Sequence, residues 1–368
     1  MGQATDVFIV GGGPAGLAAA IAARQRGFRV IVADGAKPPI TKACGEGLLP
    51  DAVATLVGLG VALREMDGTA LRGIRFEDER SSVSARFPDG PGLGVRREIL
   101  HQRMVERARD SGVILLWNTP VTGLHPEGVV AGENKIQARW VIGADGSRSR
   151  VRRWSGLDSC VVRRTRFAFR RHYRLKPWSD FTEIHWAERA QAYVTPVGSA
   201  EICVVLISND PNVRFDETLR RFPELLRRLD GAPYASSARG AATSMVHLKN
   251  VCQGNVALIG DASGSVDAIT GEGLALSFRQ AKALAGALRA NDIEGYQQEH
   301  RRMFRRPRLM GNLLLLLDRR SGLRRRSMQA LEAAPQLFER LLGYHLGESR
   351  PLELATAGAV FGWRFLAA

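Results

Sequence analysis

Gly11, Gly13 and Gly16 stand in a G-x-G-x-x-G array between the β-branched run Asp6–Val10 and the alanine-rich stretch Leu17–Arg26. At a strand-to-helix junction each glycine has its own task. Gly11 permits the tight turn, Gly13 lets the backbone approach a pyrophosphate, and Gly16 lets helix and strand pack closely. Pro14 and Ala15 share that turn and count among the cofactor-binding residues, because a helix N-terminus offers free N–H groups and a positive dipole end to phosphates. Asp34 closes the next apolar run, Phe28–Ala33, 18 residues past Gly16. A carboxylate there accepts hydrogen bonds from an adenosine ribose. The array therefore predicts a dinucleotide site.

Two later strands end in polar turns: Val141-Ile142-Gly143-Ala144-Asp145-Gly146 and Val256-Ala257-Leu258-Ile259-Gly260-Asp261-Ala262. Thr270-Gly271-Glu272-Gly273-Leu274 follows the second. The segment Lys42-Ala43-Cys44-Gly45-Glu46-Gly47-Leu48 lies after the first unit, and Arg97 heads a predicted helix with Leu100 three residues on and Arg96 beside it. In this order, from about residue 6 to residue 290, the segments resemble FAD-dependent aromatic hydroxylases of the para-hydroxybenzoate-hydroxylase type and geranylgeranyl reductases. The resemblance implies non-covalent FAD, with NAD(P)H as transient electron donor. It puts Asp145, Gly260 and Asp261 at the cofactor, Asp261 on its ribityl and pyrophosphate region. It brings Gly271, Gly273 and Leu274 to the flavin ring and Arg97 to the phosphates. The K-x-C-G-x-G-L loop, characteristic of the reductases, implies that Lys42, Cys44 and Gly45 lie near the flavin. Cys44, Glu46 and Tyr193 are the candidate catalytic groups.

The chain also departs from these families. Where the reductases carry Y-x-W-x-F-P over the substrate, it reads Gln191-Ala192-Tyr193-Val194-Thr195-Pro196, leaving Tyr193 as the lone aromatic. Ala268 and Gly264 stand where hydroxylases place proline and histidine. The W-x-W-x-I-P segment of flavin halogenases and the G-x-S-x-G elbow of hydrolases are absent. The seven histidines show no metal-ligand spacing, so no metal is expected. His185 and Tyr193 are candidate polar groups of a substrate pocket.

These residues need elements to position them. Asp6–Val10, the helix and Phe28–Ala33 form a β-α-β unit ending at Gly27 and Asp34. Further parallel strands are predicted at Val113–Leu116, Trp140–Ile142 and Val256–Ile259, with helices near Arg97–Ser111 and from Gly273 to Arg289. Thr182–His185, Ala192–Thr195 and Glu201–Ile207 alternate as antiparallel strands do. The fold class is α/β: a Rossmann-like, three-layer ββα FAD-binding domain (residues 1–75, 96–158 and 246–295), an interleaved antiparallel-sheet substrate domain (76–95 and 159–245), and a helical basic C-terminal region (296–368).

The net charge of +15 comes from 46 Arg against 6 Lys. Without a zinc-finger or RNA-binding signature it implies no nucleic-acid partner. Basic clusters surround Leu313–Leu317, including Arg301, Arg305, Arg319 and Arg326. They read either as a membrane-surface helix or as a helix whose leucines cover the FAD domain while its arginines face water. The apolar stretch Leu354–Phe365 would likewise dock internally. Four scattered cysteines, no basic leader and no apolar run near the roughly 18–20 residues of a membrane span predict a cytoplasmic, at most membrane-peripheral protein. The expected activity is an NAD(P)H-driven monooxygenase acting on an apolar or aromatic molecule. The alternatives are a reductase of carbon–carbon double bonds in a lipophilic substrate and a flavin-binding protein without turnover.

Overall fold

The computed structural model describes residues 4–347. Strand β1 (Ala4–Val10) is central, and Val7, Phe8 and Ile9 are fully buried. A continuous apolar run of this kind needs cover on both faces, as parallel sheets have. The chain turns into helix α1 (Pro14–Arg24), which starts earlier than the sequence predicts because Pro14 takes the first helical position. It returns as β2 (Val30–Ala33), parallel to β1. Ile114–Leu116 extends the sheet beyond β2; Asn134–Gly143, then Val256–Leu258, extend it beyond β1, all in parallel. Antiparallel strands Val121–His125 and Gly128–Ala131 branch from Asn134–Gly143. Alanines of α1 let the helices Arg97–Asp110 and Gly273–Ala290 pack closely against it. This is the predicted Rossmann-like α/β architecture.

The second sheet has seven strands, in the order Arg239–Leu248, Cys160–Tyr173, Glu201–Ser208, Ala190–Gly198, Phe181–Ala187, Gly73–Glu77, Ser82–Arg86. Every pairing is antiparallel except Phe181–Ala187 with Gly73–Glu77. The strands expected around 182, 192 and 201 are all present. The expected domain boundaries at 75/76 and 245/246 fall inside Gly73–Glu77 and Arg239–Leu248, strands that belong wholly to this sheet. A small three-stranded sheet, Gly47–Leu48, Gly92–Val95 and Gly68–Leu71, holds the Lys42–Leu49 loop in place.

The C-terminal helices correct one reading. Arg305–Arg319, Ser321–Glu332 and Pro335–Leu346 bury their inner leucines mainly against the antiparallel sheet, meeting the FAD domain only at a few residues such as Leu49 and Ile269. Leu314 and Leu315 pack with Ile184, Trp186 and Val205, while Phe338 and Leu342 pack with Val83 and Phe87. Only the preceding helix, Ile293–Met303, lies on Gly273–Ala290, where the Tyr296 hydroxyl donates to the Leu258 carbonyl at 2.9 Å. Leu354–Phe365 and its expected docking lie outside the described residues. Among the described residues no helix is long and apolar enough to cross a membrane. All four cysteines are free.

Candidate active site

One cavity of about 1040 Å³ runs from the Gly11–Gly16 turn, along the inner face of the antiparallel sheet, to the C-terminal helices. At its first end the glycines behave as their spacing implies. Gly11 has φ +110°, and a Cβ there would lie 2.4 Å from the Ala144 carbonyl oxygen. A Cβ on Gly16 would sit 1.9 Å from the Gly11 oxygen, whereas one on Gly13 would meet nothing within 4 Å. Gly13 thus faces open cavity at the start of α1, which has neither a side-chain cap nor an acidic first turn. Asp34 is pinned at the cavity edge, its Oδ2 accepting from the Gly12 amide at 2.7 Å and its Oδ1 from Ala36 at 2.8 Å. His101, which sequence reasoning missed, donates from Nε2 to the Gly12 carbonyl at 2.8 Å. Burial pushes its pKa down, so the ring is neutral and braces the turn.

Further along, Lys42 Nζ pairs with Asp261 Oδ2 at 2.5 Å, and both residues line the cavity with Cys44 and Gly45. Gly271 (φ +68°), Gly273 and Leu274 line it from the start of the long Gly273–Ala290 helix. Arg97 also lines it, with Nε buried and unpartnered, while Arg96 turns aside to Glu201 at 2.9 Å. Of the two adjacent arginines, Arg97 alone lines the cavity. Two expected cofactor contacts are placed differently. Asp145 borders the cavity, but its carboxylate accepts from the Ser149 hydroxyl at 2.5 Å, Arg150 N at 2.7 Å and Val151 N at 3.2 Å, as a helix cap does. Gly260 is not in the cavity wall; it brings its turn against α1, where a Cβ would meet the Ala15 Cβ at 2.7 Å.

The three candidate catalytic side chains separate on inspection. Cys44 is half-buried at the cavity wall, and its sulfur accepts from the Glu46 amide at 3.4 Å. Glu46 takes a left-handed backbone (φ +60°) and is fully buried between Arg170 Nη1 and His172 Nε2, each 2.6 Å away, with the Arg97 amide at 3.1 Å. Burial would raise its pKa, but the His172 hydrogen bond and the charges of His172 and Arg170 outweigh burial and leave it lowered. Glu46 is therefore an ionised anchor tying the loop to the antiparallel sheet, not a proton donor. Tyr193 lines the cavity and donates to Gln191 Oε1 at 3.3 Å; burial raises its pKa and keeps the phenol neutral. His185 stands outside the cavity wall, held by Glu183 at 3.1 Å and Glu77 at 3.4 Å.

Folding also assembles side chains that no local motif announces. Arg166 is buried, donating to Asp267 Oδ1 at 2.8 Å and Gln191 Oε1 at 3.0 Å, while Gln191 donates to Asp318 on the C-terminal helix at 2.8 Å. Two sets, Glu46–His172–Cys203 and Glu77–Glu183–His185, bring ligand atoms within 4.8 Å of one another despite the lack of a spacing motif. Arginines already neutralise their carboxylates, Arg170 at Glu46 and Arg75 at Glu183, in place of a cation.

An open glycine, an uncapped helix start, a ribose-positioned carboxylate and an orphaned guanidinium nitrogen fit a bound dinucleotide phosphate. Together with the parallel sheet, they define a dinucleotide-binding flavoprotein-type fold. The sequence profile of the FAD binding domain family matches residues 4–300, and the chain belongs to that family. It is an FAD-dependent oxidoreductase. It is 28% identical to menaquinone reductase of Mycobacterium tuberculosis over 79% of this chain and 78% of that protein. It is 27% identical to digeranylgeranylglycerophospholipid reductase 2 of Methanosphaera stadtmanae over 79% of each. A flavoprotein/dehydrogenase from Cytophaga hutchinsonii shares its fold with a TM-score of 0.82, at 17% identity, over 97% of this chain and 99% of that one.

Proposed function

We propose that this enzyme reduces a carbon–carbon double bond in a lipophilic, isoprenoid-like molecule, using electrons from NAD(P)H. The observation that carries the reading is the cavity. Beyond its polar nucleotide end it becomes a long apolar trough walled by Ile184, Val205, Phe76, Leu314 and Phe338, larger than one aromatic ring needs. The two reductases named above support it, one a reductase of menaquinone and the other of a digeranylgeranylglycerophospholipid. The sequence motifs alone favour oxygenation; the extent of the apolar wall supports reduction instead.

FAD, when bound, would supply two-electron redox chemistry. The chain's residues do the rest. Gly13, the start of α1 and Arg97 would hold the phosphates, Asp34 the ribose, and Asp261 with Lys42 the ribityl region. Cys44 Sγ, on the cavity wall, would give a proton to one carbon of the double bond. Tyr193, tied to Gln191, orients a polar end of the substrate. The apolar roof excludes water.

The test is an anaerobic titration with NADH or NADPH, then with a prenylated quinone or isoprenoid lipid. Substrate-dependent reoxidation without oxygen, with a saturated product, supports the reading. Substrate-dependent oxygen uptake with an oxygenated product replaces it with the monooxygenase, and failure of either donor to reduce FAD replaces it with a flavin-binding protein lacking turnover.

A further inference from the structure

On the helix Arg305–Arg319 three large leucines face water: Leu309 is 58% exposed, Leu313 45% and Leu316 44%. Their spacing of four and three residues puts them on one stripe. Arg305 continues that stripe at one end and Arg320 at the other, over about 22 Å of helix. Leu313 and Leu316 also line the cavity, so its mouth opens on this face.

The charge around the stripe has one sign. Arg305, Arg319, Arg320, Arg325 and Arg326 are exposed, and none of them forms an ion pair among the described residues. The one acidic side chain between positions 305 and 326, Asp318, turns inward to Gln191. Inward-facing leucines of the same helix already seal the antiparallel sheet, so the outer ones have no packing task. A nucleic acid would use the arginines but gains nothing from exposed aliphatic side chains, whereas an anionic bilayer uses both: phosphates for the arginines and acyl chains for the leucines.

We propose that this face docks on an anionic membrane surface, with Leu309, Leu313 and Leu316 in the acyl boundary and the arginines at the headgroups, so that the cavity mouth opens into the lipid phase. The proposal concerns surface binding and stands whether the chemistry is reduction or oxygenation.

Co-sedimentation of the FAD-loaded protein with vesicles tests it. Binding is expected to phosphatidylcholine vesicles holding about 30 mol % phosphatidylglycerol, weakening with salt, and not to phosphatidylcholine alone. Arg305→Glu with Arg320→Glu should lower the partition coefficient more than about tenfold. Leu309→Trp should show a blue-shifted emission increment over wild type only with anionic vesicles; Leu309 does not line the cavity. Absence of anionic-vesicle binding at low salt overturns the proposal. So does equal binding by wild type and the double arginine variant, or a Leu309→Glu variant that changes the mass in solution but not vesicle binding. The last result would assign the stripe to a second copy of the chain.

Discussion

At the scale of single residues, the site rests on a few charged groups with fixed partners. Asp34 is oriented by two backbone amides and Asp261 by Lys42, so each presents its carboxylate at little entropic cost. Removing one charged hydrogen bond costs about 1.5–3 kcal/mol, or roughly ten- to a hundredfold in affinity. Asp34→Ala and Asp261→Ala should each raise the dissociation constant of FAD by that factor while the apoprotein still folds cooperatively, with a lower melting temperature for Asp34→Ala, which strands two backbone amides; isothermal titration reads both variants. Cys44→Ala should keep FAD and its absorbance spectrum yet lower double-bond reduction on the order of a hundredfold. A loss of only a few-fold, with rising peroxide in air, would favour oxygenation. Asp34, Asp261 and Cys44 were legible because local motifs carry them. Arg170, His172 and Asp267 were not: each meets its partner across more than 90 residues of chain, and no local spacing encodes such a meeting.

Among the elements, α1 and its preceding turn separate folding from binding. A side chain at Gly16 would strike the Gly11 carbonyl, whereas one at Gly13 would extend into the open cavity. Gly16→Val should therefore fail to give a cooperatively folding protein. Gly13→Val should fold with near-native circular dichroism but emerge colourless, its side chain occupying the phosphate position. Equal FAD content in Gly13→Val and wild type would move the phosphates elsewhere. The alternation of apolar residues made the antiparallel strands readable, and the apolar run of β1 did the same for the parallel sheet. The domain boundaries were less readable, because Gly73–Glu77 joins the second sheet by a parallel pairing to a strand over 100 residues away. The C-terminal leucines left two readings open, and the structure divides them, Leu314 and Leu315 inward and Leu313 and Leu316 outward, because amphipathicity reports a face and not its partner.

For the molecule as a whole, buried titratable groups set the response to acid. His300 is packed between Tyr296 and Phe304 with Nε2 at 3.0 Å from the Ser263 hydroxyl. Burial, with the nearby charges of Arg308, His247 and Arg301, pushes its pKa down to about 3. The folded state thus favours the neutral ring, so its contribution is fully present above the unfolded value near 6.5 and is lost as pH falls below it, by on the order of 3 kcal/mol at pH 4. Glu46 acts in the same direction at lower pH, its lowered pKa favouring folding until the carboxylate is protonated. Urea unfolding at pH 7 and pH 4 should show the wild type losing more stability than His300→Gln over that interval. Parallel losses in the two proteins would mean that the imidazole is not the group titrating.

The order of the walls along the chain also bears on biosynthesis. Strand β1 is flanked on one side by Asn134–Gly143, and that strand by Val256–Leu258, so the nucleotide-binding sheet is complete only after two thirds of the chain has been made. The roof helices, from Arg305 onward, come later still. A ribosome delivers the N-terminal parts first. During translation the apolar trough therefore stands for a time without its roof, its lining Ile184, Val205 and Phe76 laid down before the helices that cover them.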